Sequence, residues 1–520
     1  MNLNDLANPE TVTGHLASPA AAVSQKHPPG LYTLFFTEMW ERFSYYGRRA
    51  LLVLFMVDAV RGGMGMSDKV ATAIYGLYTA SVYLMSLPGG WLSDRLWGAQ
   101  RAVWIGGIII AIGHFTLALS SIHTFYLGLI LVVIGSGTLK PNMSALVADL
   151  YPEGGSRRDA GFTIFYMGVN LGAFLGPIVC GWLAETYGWH YGFAAAGVGM
   201  VLGLIQFRLL RHLLGNAGRR PENTKPLHPV EHFGLVGSII AVLLTVALGL
   251  TGVLVLNPVA IAGFMTYVIL GITAIYFLYL FLFYGLDSSE KQRVGMILVL
   301  FFASALFWAG FEQAGSSFNL FAERFTDRQL DWFNHRFEVP TSWFQSLGPI
   351  FIIMFAPAFA WLWVSLARHK LDPSIPVKFA FGLLLLAAGF VIMAGAATVV
   401  AAGHKVWPTW LISTYLVHTF GELCLSPVGL SSVTKLAPRR LVGQLMGTWF
   451  LATSLGNLIA GLLAGQVTGS SVAQMPGQYL RLVFVPVGAG IALLLLAKPI
   501  TKLSASGSEG LDQNSRTPSN

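Results

Sequence analysis

Charge is what this chain has least of. Asp, Glu, Lys and Arg make up 11% of its 520 residues, and hydrophobic residues make up 54%. A soluble domain carries about 25% charged residues, and a soluble fold of this length would expose far too much apolar surface. Cysteine is scarcer still. Cys180 and Cys424 both fall in apolar runs, where they read as small packing residues with no disulfide or metal site. Residues 1–29 lack an apolar core, so no cleavable signal peptide is expected. No Walker A sequence occurs, which removes ATP hydrolysis as an energy source, and no HExxH pair occurs among the 12 histidines. His114 and His418 are isolated in apolar spans and read as packing or helix-pairing residues. No cofactor, metal, nucleotide or nucleic-acid partner is expected.

The chain is rich in apolar runs, many near the roughly 20 residues that cross a bilayer as helix. Fourteen spans are expected, near 31–57, 70–93, 102–121, 124–149, 162–187, 190–214, 232–256, 258–285, 292–322, 342–367, 378–401, 407–436, 443–467 and 478–499. The fold class is therefore an all-α polytopic membrane protein. Basic residues gather in alternate loops: Arg95 and Arg101; Arg157 and Arg158; Arg211, Arg219 and Arg220; Lys291 and Arg293; Arg368 and Lys370; Lys435, Arg439 and Arg440. The positive-inside rule puts these loops and both termini in the cytoplasm. The loop at 323–340, with Arg324, Arg328 and Arg336, is an exception.

The expected organisation runs from a polar, disordered N-tail (1–29) through a six-helix bundle (30–214) to a basic linker (215–231). A nearly uncharged, lipid-facing hairpin (232–285), a second six-helix bundle (286–500) and a disordered C-tail (501–520) follow. Two six-helix halves suggest a transporter whose substrate sits between them near mid-membrane.

The first span contains "FFTEMWERFSYYG". Counting from Glu38, residues Glu41 and Arg42 lie at +3 and +4, Tyr45 and Tyr46 at +7 and +8, and Arg49 at +11, all on one helical face. Arg48 sits one residue-step off that stripe. A structural i, i+4 pair of Glu38 with Arg42 is the plainer alternative. A charge in mid-membrane costs at least ~2.5 kcal/mol, and intramembrane ionisable groups are functional by default. The face is therefore expected to line a wet cavity and to titrate or bind ions. Lys140, Glu312 and Glu422 lie deep in other spans. Together these make four acids against three bases on or near the stripe, a near-balance that favours mutual pairing. A carboxylate whose partner comes and goes changes its proton affinity, as proton coupling requires.

The motif "EMWERFSYYG" (Glu38 to Gly47), with "FYMGVNLGAF" (Phe165 to Phe174) and "GGWLSDRLWGAQR" (Gly89 to Arg101), resembles the proton-dependent oligopeptide transporter (POT/PTR) family of the major facilitator superfamily. "LKPN", "FWAGFEQAGSS", "SWFQSLGP" and "GELCLSPVGL" fit it too, and the hairpin at 232–285 resembles the extra helix pair of bacterial members. The resemblance implies the major facilitator fold, symport of di- and tripeptides with protons by alternating access, and the inner membrane of a bacterium. It implies that Glu38, Glu41, Arg42, Lys140 and Glu312 couple protons, and that Arg42, Arg49 and Lys140 receive the peptide carboxylate. Glu422 would hold the ammonium with Ser426 beside it, and Asn170 would bond the peptide backbone. Tyr45, Tyr46, Tyr83, Trp308 and Trp449 would form the pocket walls, and Glu312 would pair with a first-helix arginine at the outer gate.

Asp94, Arg95 and Arg101 either orient the chain by charge or latch the inward side. Gly89 serves close packing, and Pro141 and Pro427 bend their helices. Two departures from the family pattern are Gly348, where many relatives carry Asn, and Phe311, where some carry a second acid. Transport of another anion such as nitrate, a membrane-embedded enzyme and a channel are the alternatives. The intact E-x-x-E-R cluster favours peptide and proton, and the scattered histidines disfavour an enzyme.

Overall fold

The protein is seen here as a computed structural model describing residues 26–220, 228–251, 257–332 and 335–505. Most of the two tails and residues 221–227 of the linker thus lie outside the described residues. In lipid every backbone N–H and C=O must be satisfied within the protein, which drives apolar runs into helices. The first six are α1 (Gly30–Val57), α2 (Asp68–Leu92), α3 (Ala99–Leu117), α4 (Ile122–Asp149), α5 (Gly155–Tyr187) and α6 (Trp189–Leu210). Then come α7 (Pro229–Leu250) and α8 (Pro258–Leu282). The rest are α9 (Ser288–Phe311), α10 (Ser317–Phe325), α11 (Leu347–Arg368), α12 (Ile375–Ala401), α13 (Thr409–Leu436), α14 (Val442–Thr468), α15 (Met475–Leu495) and the short α16 (Ala497–Ala505). Local chemistry starts several of them. Asn257 caps α8 by accepting from Val259 and Ala260 N–H, and Asp287 and Glu290 form a reciprocal capping box on α9.

Among the described residues, eleven helices are long and apolar enough to cross a membrane, against the fourteen spans expected. The expected spans at 31–57, 232–256 and 407–436 correspond to α1, α7 and α13, of 28, 22 and 28 residues. In α1 the departure comes from five charged residues: Glu38, Glu41, Arg42, Arg48 and Arg49.

In the N-terminal half α1 packs on α5 and α6, and α3 on α4 and α6. The α1–α5 seam explains the spacing in "FYMGVNLGAF". Gly168, Gly172 and Gly176 recur every four residues on α5, and a Cβ on any of them would run into the α1 backbone at Phe35, Met39 or Phe43. In the C-terminal half α12 packs on α13 and α15, and α9 on α14. The halves meet along α2 and α14, where Gly76 and Gly461 face each other so closely that a Cβ on Gly76 would stand 3.0 Å from the Gly461 Cα.

The hairpin is not wholly lipid-facing, as the sequence suggested. Ala262, Ile269, Thr273, Phe277 and Leu280 form one buried face of α8, which packs against α14 and α2. Tyr267 and Ile275 on its other side are 74% and 71% exposed.

We call the end of the bundle where α1 starts the near end, and the opposite end the far end. Hydrogen bonds between the halves gather toward the far end. Asn319 Nδ2 donates to the Ala50 carbonyl at 2.8 Å, Ser346 Oγ to that of Phe174 at 2.8 Å, and Trp343 Nε1 to that of Ile178 at 3.0 Å. Glu185 at the end of α5 accepts the backbone N–H of Thr341 at 3.0 Å and of Ser342 at 3.2 Å. Ion pairs join Arg324 to Asp68 at 2.6 Å and Arg61 to Glu323 at 3.1 Å. Arg328 lies among Glu185, Glu323 and Glu338, at 3.6, 3.3 and 2.8 Å. Arg324 and Arg328, two of the arginines that broke the charge pattern of the loops, are thus engaged by acids, and each meets an acid of the other half, Asp68 and Glu185. The hairpin β1 (Gln329–Trp332) and β2 (His335–Glu338) lies in the same connection, in antiparallel register from Gln329↔Glu338 to Trp332↔His335.

Candidate substrate and proton site

The stripe on α1 faces inward and is almost wholly buried. Glu38, Glu41, Arg42 and Arg49 are 4%, 0%, 6% and 7% exposed, so neighbouring protein groups, rather than bulk water, must answer their charge. Arg42 Nε donates to Glu38 Oε1 at 2.7 Å and stands 2.9 Å from Glu41 Oε2. One guanidinium therefore serves two carboxylates. The second Glu38 oxygen and both Glu41 oxygens are left without a hydrogen bond. Lys140 enters from α4, with Nζ 4.2 Å from the Tyr83 ring centroid and 5.0 Å from that of Tyr45. Among the described residues no carboxylate pairs with it, although Arg42, Glu41 and Glu38 act on it electrostatically.

Two turns further along α1, Arg49 reaches the other half. Its Nη2 donates to Glu312 Oε2 at 2.5 Å and its Nε to the Tyr75 hydroxyl at 2.5 Å. Glu312 lies in the expected ninth span, which runs over Ser288–Phe325, but the α-helix is interrupted there. Helix α9 ends at Phe311, and Glu312–Gly315 form a 3-10 turn before α10. Gly315 is needed there, because a Cβ would overlap the Tyr75 hydroxyl. Glu422 comes from α13, and its Oε2 is buried without a hydrogen-bond partner among the described residues. Arg49 and Glu312 are its electrostatic neighbours.

Partly accessible side chains lie among these groups. Tyr166 on α5 is 47% exposed and lies under the electrostatic influence of Glu422 and Tyr46. Tyr46, Tyr83, Lys140, Trp308, Glu422 and Ser426 are likewise partly accessible. Asn170 is 4% exposed, and its Nδ2 donates to the Tyr166 carbonyl one turn back at 2.9 Å. Trp308 is edge-on to Phe307 and Phe311, and its indole N–H is unpaired. Trp449 makes its ring contacts with Phe379 and Gly429 of the C-terminal half.

The loop charges do not form one latch. Arg95 pairs with Glu231 at the start of α7, at 3.1 Å. Asp94 and Arg101 are exposed and form no ion pair among the described residues. Gly89 lies against the Gly137 carbonyl, which brings α2 close to α4. Pro141 and Pro427 sit inside α4 and α13.

Sequence reasoning gave Arg48 no place in the cluster. It is 0% exposed, donates to the Tyr78 hydroxyl, and lies 4.8 Å from the Tyr78 ring centroid and 5.3 Å from that of Tyr45. Its Nε and Nη1 lack hydrogen-bond partners among the described residues, and Glu41 acts on it electrostatically. With Arg48 counted, the buried cluster holds four acids and four bases. Tyr75 and Tyr78 were also missed. Their signal was present, as two phenols one turn apart in the second span. Glu185 and Asp68 gave none, because each lies at a span end where charge is ordinary, whereas Arg324 stood out only as part of the exceptional loop.

The chain matches the POT family over residues 100–482. It is 44% identical to the peptide transporter YePEPT of Yersinia enterocolitica, with 92% of this chain and 95% of that protein covered. It is 35% identical to the di-/tripeptide transporter of Lactococcus lactis subsp. cremoris, with 92% and 96% covered. A solved structure of peptide transporter POT in complex with sulfate superposes with a TM-score of 0.83 at 40% identity, covering 92% of this chain and 96% of that one. The all-α major facilitator architecture, the intact E-x-x-E-R cluster on α1 and these likenesses agree: the chain belongs to the POT family, whose members are transporters and not enzymes.

Proposed function

We propose that this protein imports di- and tripeptides by proton symport through alternating access. It would lie in a bacterial inner membrane, with both termini and the near end in the cytoplasm, and need no cofactor beyond the proton gradient. One observation carries this reading. The cationic groups Arg42, Arg49 and Lys140 come from the N-terminal half and Glu422, whose Oε2 has no partner among the described residues, from the C-terminal half, with Glu422 near enough to Arg49 to feel its charge. A peptide zwitterion has one anionic and one cationic end, and this arrangement offers each an opposite charge in a low-dielectric site. Tyrosine and tryptophan rings beside it accept varied side chains through apolar contact.

Coupling follows from competition. A peptide carboxylate arriving at Arg49 competes with Glu312 for the guanidinium that ties the halves together. A carboxylate that loses a cationic partner takes up a proton more readily. Glu38 and Glu41 share Arg42 in the same way, so substrate and proton act on one charge network. These acids titrate as a group. The far-end ties gather where the external mouth would be, which suits a state open toward the cytoplasm.

The test uses sealed proteoliposomes. The wild type should accumulate labelled dialanine when an inward proton gradient is imposed, while Glu41→Gln should lose accumulation and keep peptide counterflow. Accumulation that persists at full rate after the gradient is collapsed would remove the coupling. Failure of both proteins to move dialanine, with uptake of nitrate instead, would overturn the peptide assignment.

A further inference from the structure

We propose that the groove where α3, α6 and the following segment 211–220 meet binds the phosphate of an anionic membrane lipid. A cavity of about 390 Å³ opens there, lined by Gln100, Arg208, Arg211, His212 and Arg219 among others, and Arg101 adjoins it in sequence. Its walls are fixed in advance by polar bonds. Gln100 Nε2 donates to the Ala217 carbonyl at 2.6 Å, the Gln100 backbone N–H to that of Gly218 at 3.2 Å, and Arg211 Nε to Gln100 Oε1 at 2.8 Å. Asp149, the acid that reaches this segment, is already engaged by the Gly218 N–H at 3.0 Å.

The charge here is uncompensated. Three other near-end arginines are paired, Arg95 with Glu231, Arg157 with Glu153 and Arg440 with Glu290; Arg158, Arg293 and Arg368 form no ion pair among the described residues but do not line this cavity. Around this cavity Arg101, Arg208 and Arg219 make no ion pair among the described residues, and Arg211 meets only a neutral amide. Orienting the chain in the membrane requires basic residues but not their convergence on one concave site. Planar guanidinium groups are the natural partners of phosphate oxygens.

An apolar track starts at the same place. Val198, Leu202, Ile205 and Leu209 on α6 are 51%, 43%, 50% and 67% exposed, and their spacing of four, three and four residues puts them in one row. Leu209 itself lines the cavity. At 1.5 Å per residue the row runs ~16 Å along α6, a fair share of one bilayer leaflet. Phosphate at the arginines and acyl chains along this row match a phospholipid. A free phosphate would use the cavity and leave the row idle. Basic pockets between membrane helices are suited to such headgroups.

The test compares the purified full-length protein in detergent with Arg208→Gln/Arg219→Gln, two exposed side chains whose loss breaks no bond among the described residues. Each would be titrated with cardiolipin, phosphatidylcholine and inorganic phosphate, with lipid binding read by native mass spectrometry and thermal shift. Cardiolipin should bind the wild type saturably and the variant roughly 30-fold more weakly, as expected for two cations near the membrane surface. Phosphatidylcholine should not distinguish the two proteins. Equal cardiolipin affinity in both would overturn the site, and inorganic phosphate matching cardiolipin at equal concentration would overturn the lipid. Size-exclusion chromatography checks that the variant is folded, and Arg101→Gln/Arg219→Gln replaces it if it is not.

Discussion

Replacing Glu185 with Ala should open the far end of the protein. Glu185 belongs to the N-terminal half, and its carboxylate accepts two backbone N–H groups of the C-terminal half, from Thr341 at 3.0 Å and Ser342 at 3.2 Å, with the Ser342 hydroxyl also at 3.2 Å. Its side chain is 10% exposed, so water cannot simply take its place while the halves stay closed. A hydrogen bond to a charged group is worth about 1.5 kcal/mol at the low end. Losing the two backbone bonds removes roughly 3 kcal/mol from the far-closed state alone, because in the far-open state the same N–H groups are hydrated. The balance of states should then shift by roughly 100-fold toward far-open. Distances between spin labels at the far ends of α5 and α11 would read this directly. Glu185→Gln, which keeps an acceptor but loses the charge, should shift the balance less. An unchanged distance distribution in a folded Glu185→Ala protein would refute the reasoning and leave closure to the Arg324–Asp68 and Arg61–Glu323 pairs.

Other expectations concern the site and one loop. Glu422→Gln should lose peptide affinity while expression holds, and undiminished affinity by calorimetry would exclude the ammonium role. Arg49→Lys should cut transport at least ~10-fold, since a point charge cannot reproduce the fork that reaches both Tyr75 and Glu312; wild-type uptake would show that charge alone suffices. At the end of α1, burial pushes the Asp58 carboxyl up, but hydrogen bonds from Trp189 Nε1 at 2.6 Å and from the Val60 and Arg61 N–H groups at 3.0 and 3.1 Å outweigh it and hold it below its ordinary value of 3.8. A depressed acid stabilises above its unfolded value and loses that contribution as pH falls through the folded one. Asp58→Asn should therefore lower the melting temperature at pH 7, and the gap should close as pH falls below about 4; a gap independent of pH would count against the bonded carboxylate.

Much of the fold was legible before any coordinates. The apolar runs became helices, and the α1 stripe fell on one face as its spacing required. Pairings within one helix, such as Arg42 with Glu38, could be read directly because a gap of four residues fixes the approach. Glu312 and its span were legible, but the 3-10 turn that carries it was not, since an interrupted helix looks the same in composition as an unbroken one. Spacing left the place of Arg48 open for a related reason. One step off the stripe still points into the bundle when neighbouring helices surround α1 on that side, and only packing tells which sides are covered.

The sequence by itself determined that this chain lives in a membrane, that it is helical, and that it keeps charges where charges are costly. Those facts follow from composition and from a period of 3.6 residues, which need no knowledge of neighbours. Only the tertiary structure decided which charge meets which. Arg49 and Glu312 are 263 residues apart, and Glu185 and Thr341 are 156 apart. Such partners meet because glycines let particular helices approach to backbone contact, and that depends on the shape of two surfaces at once.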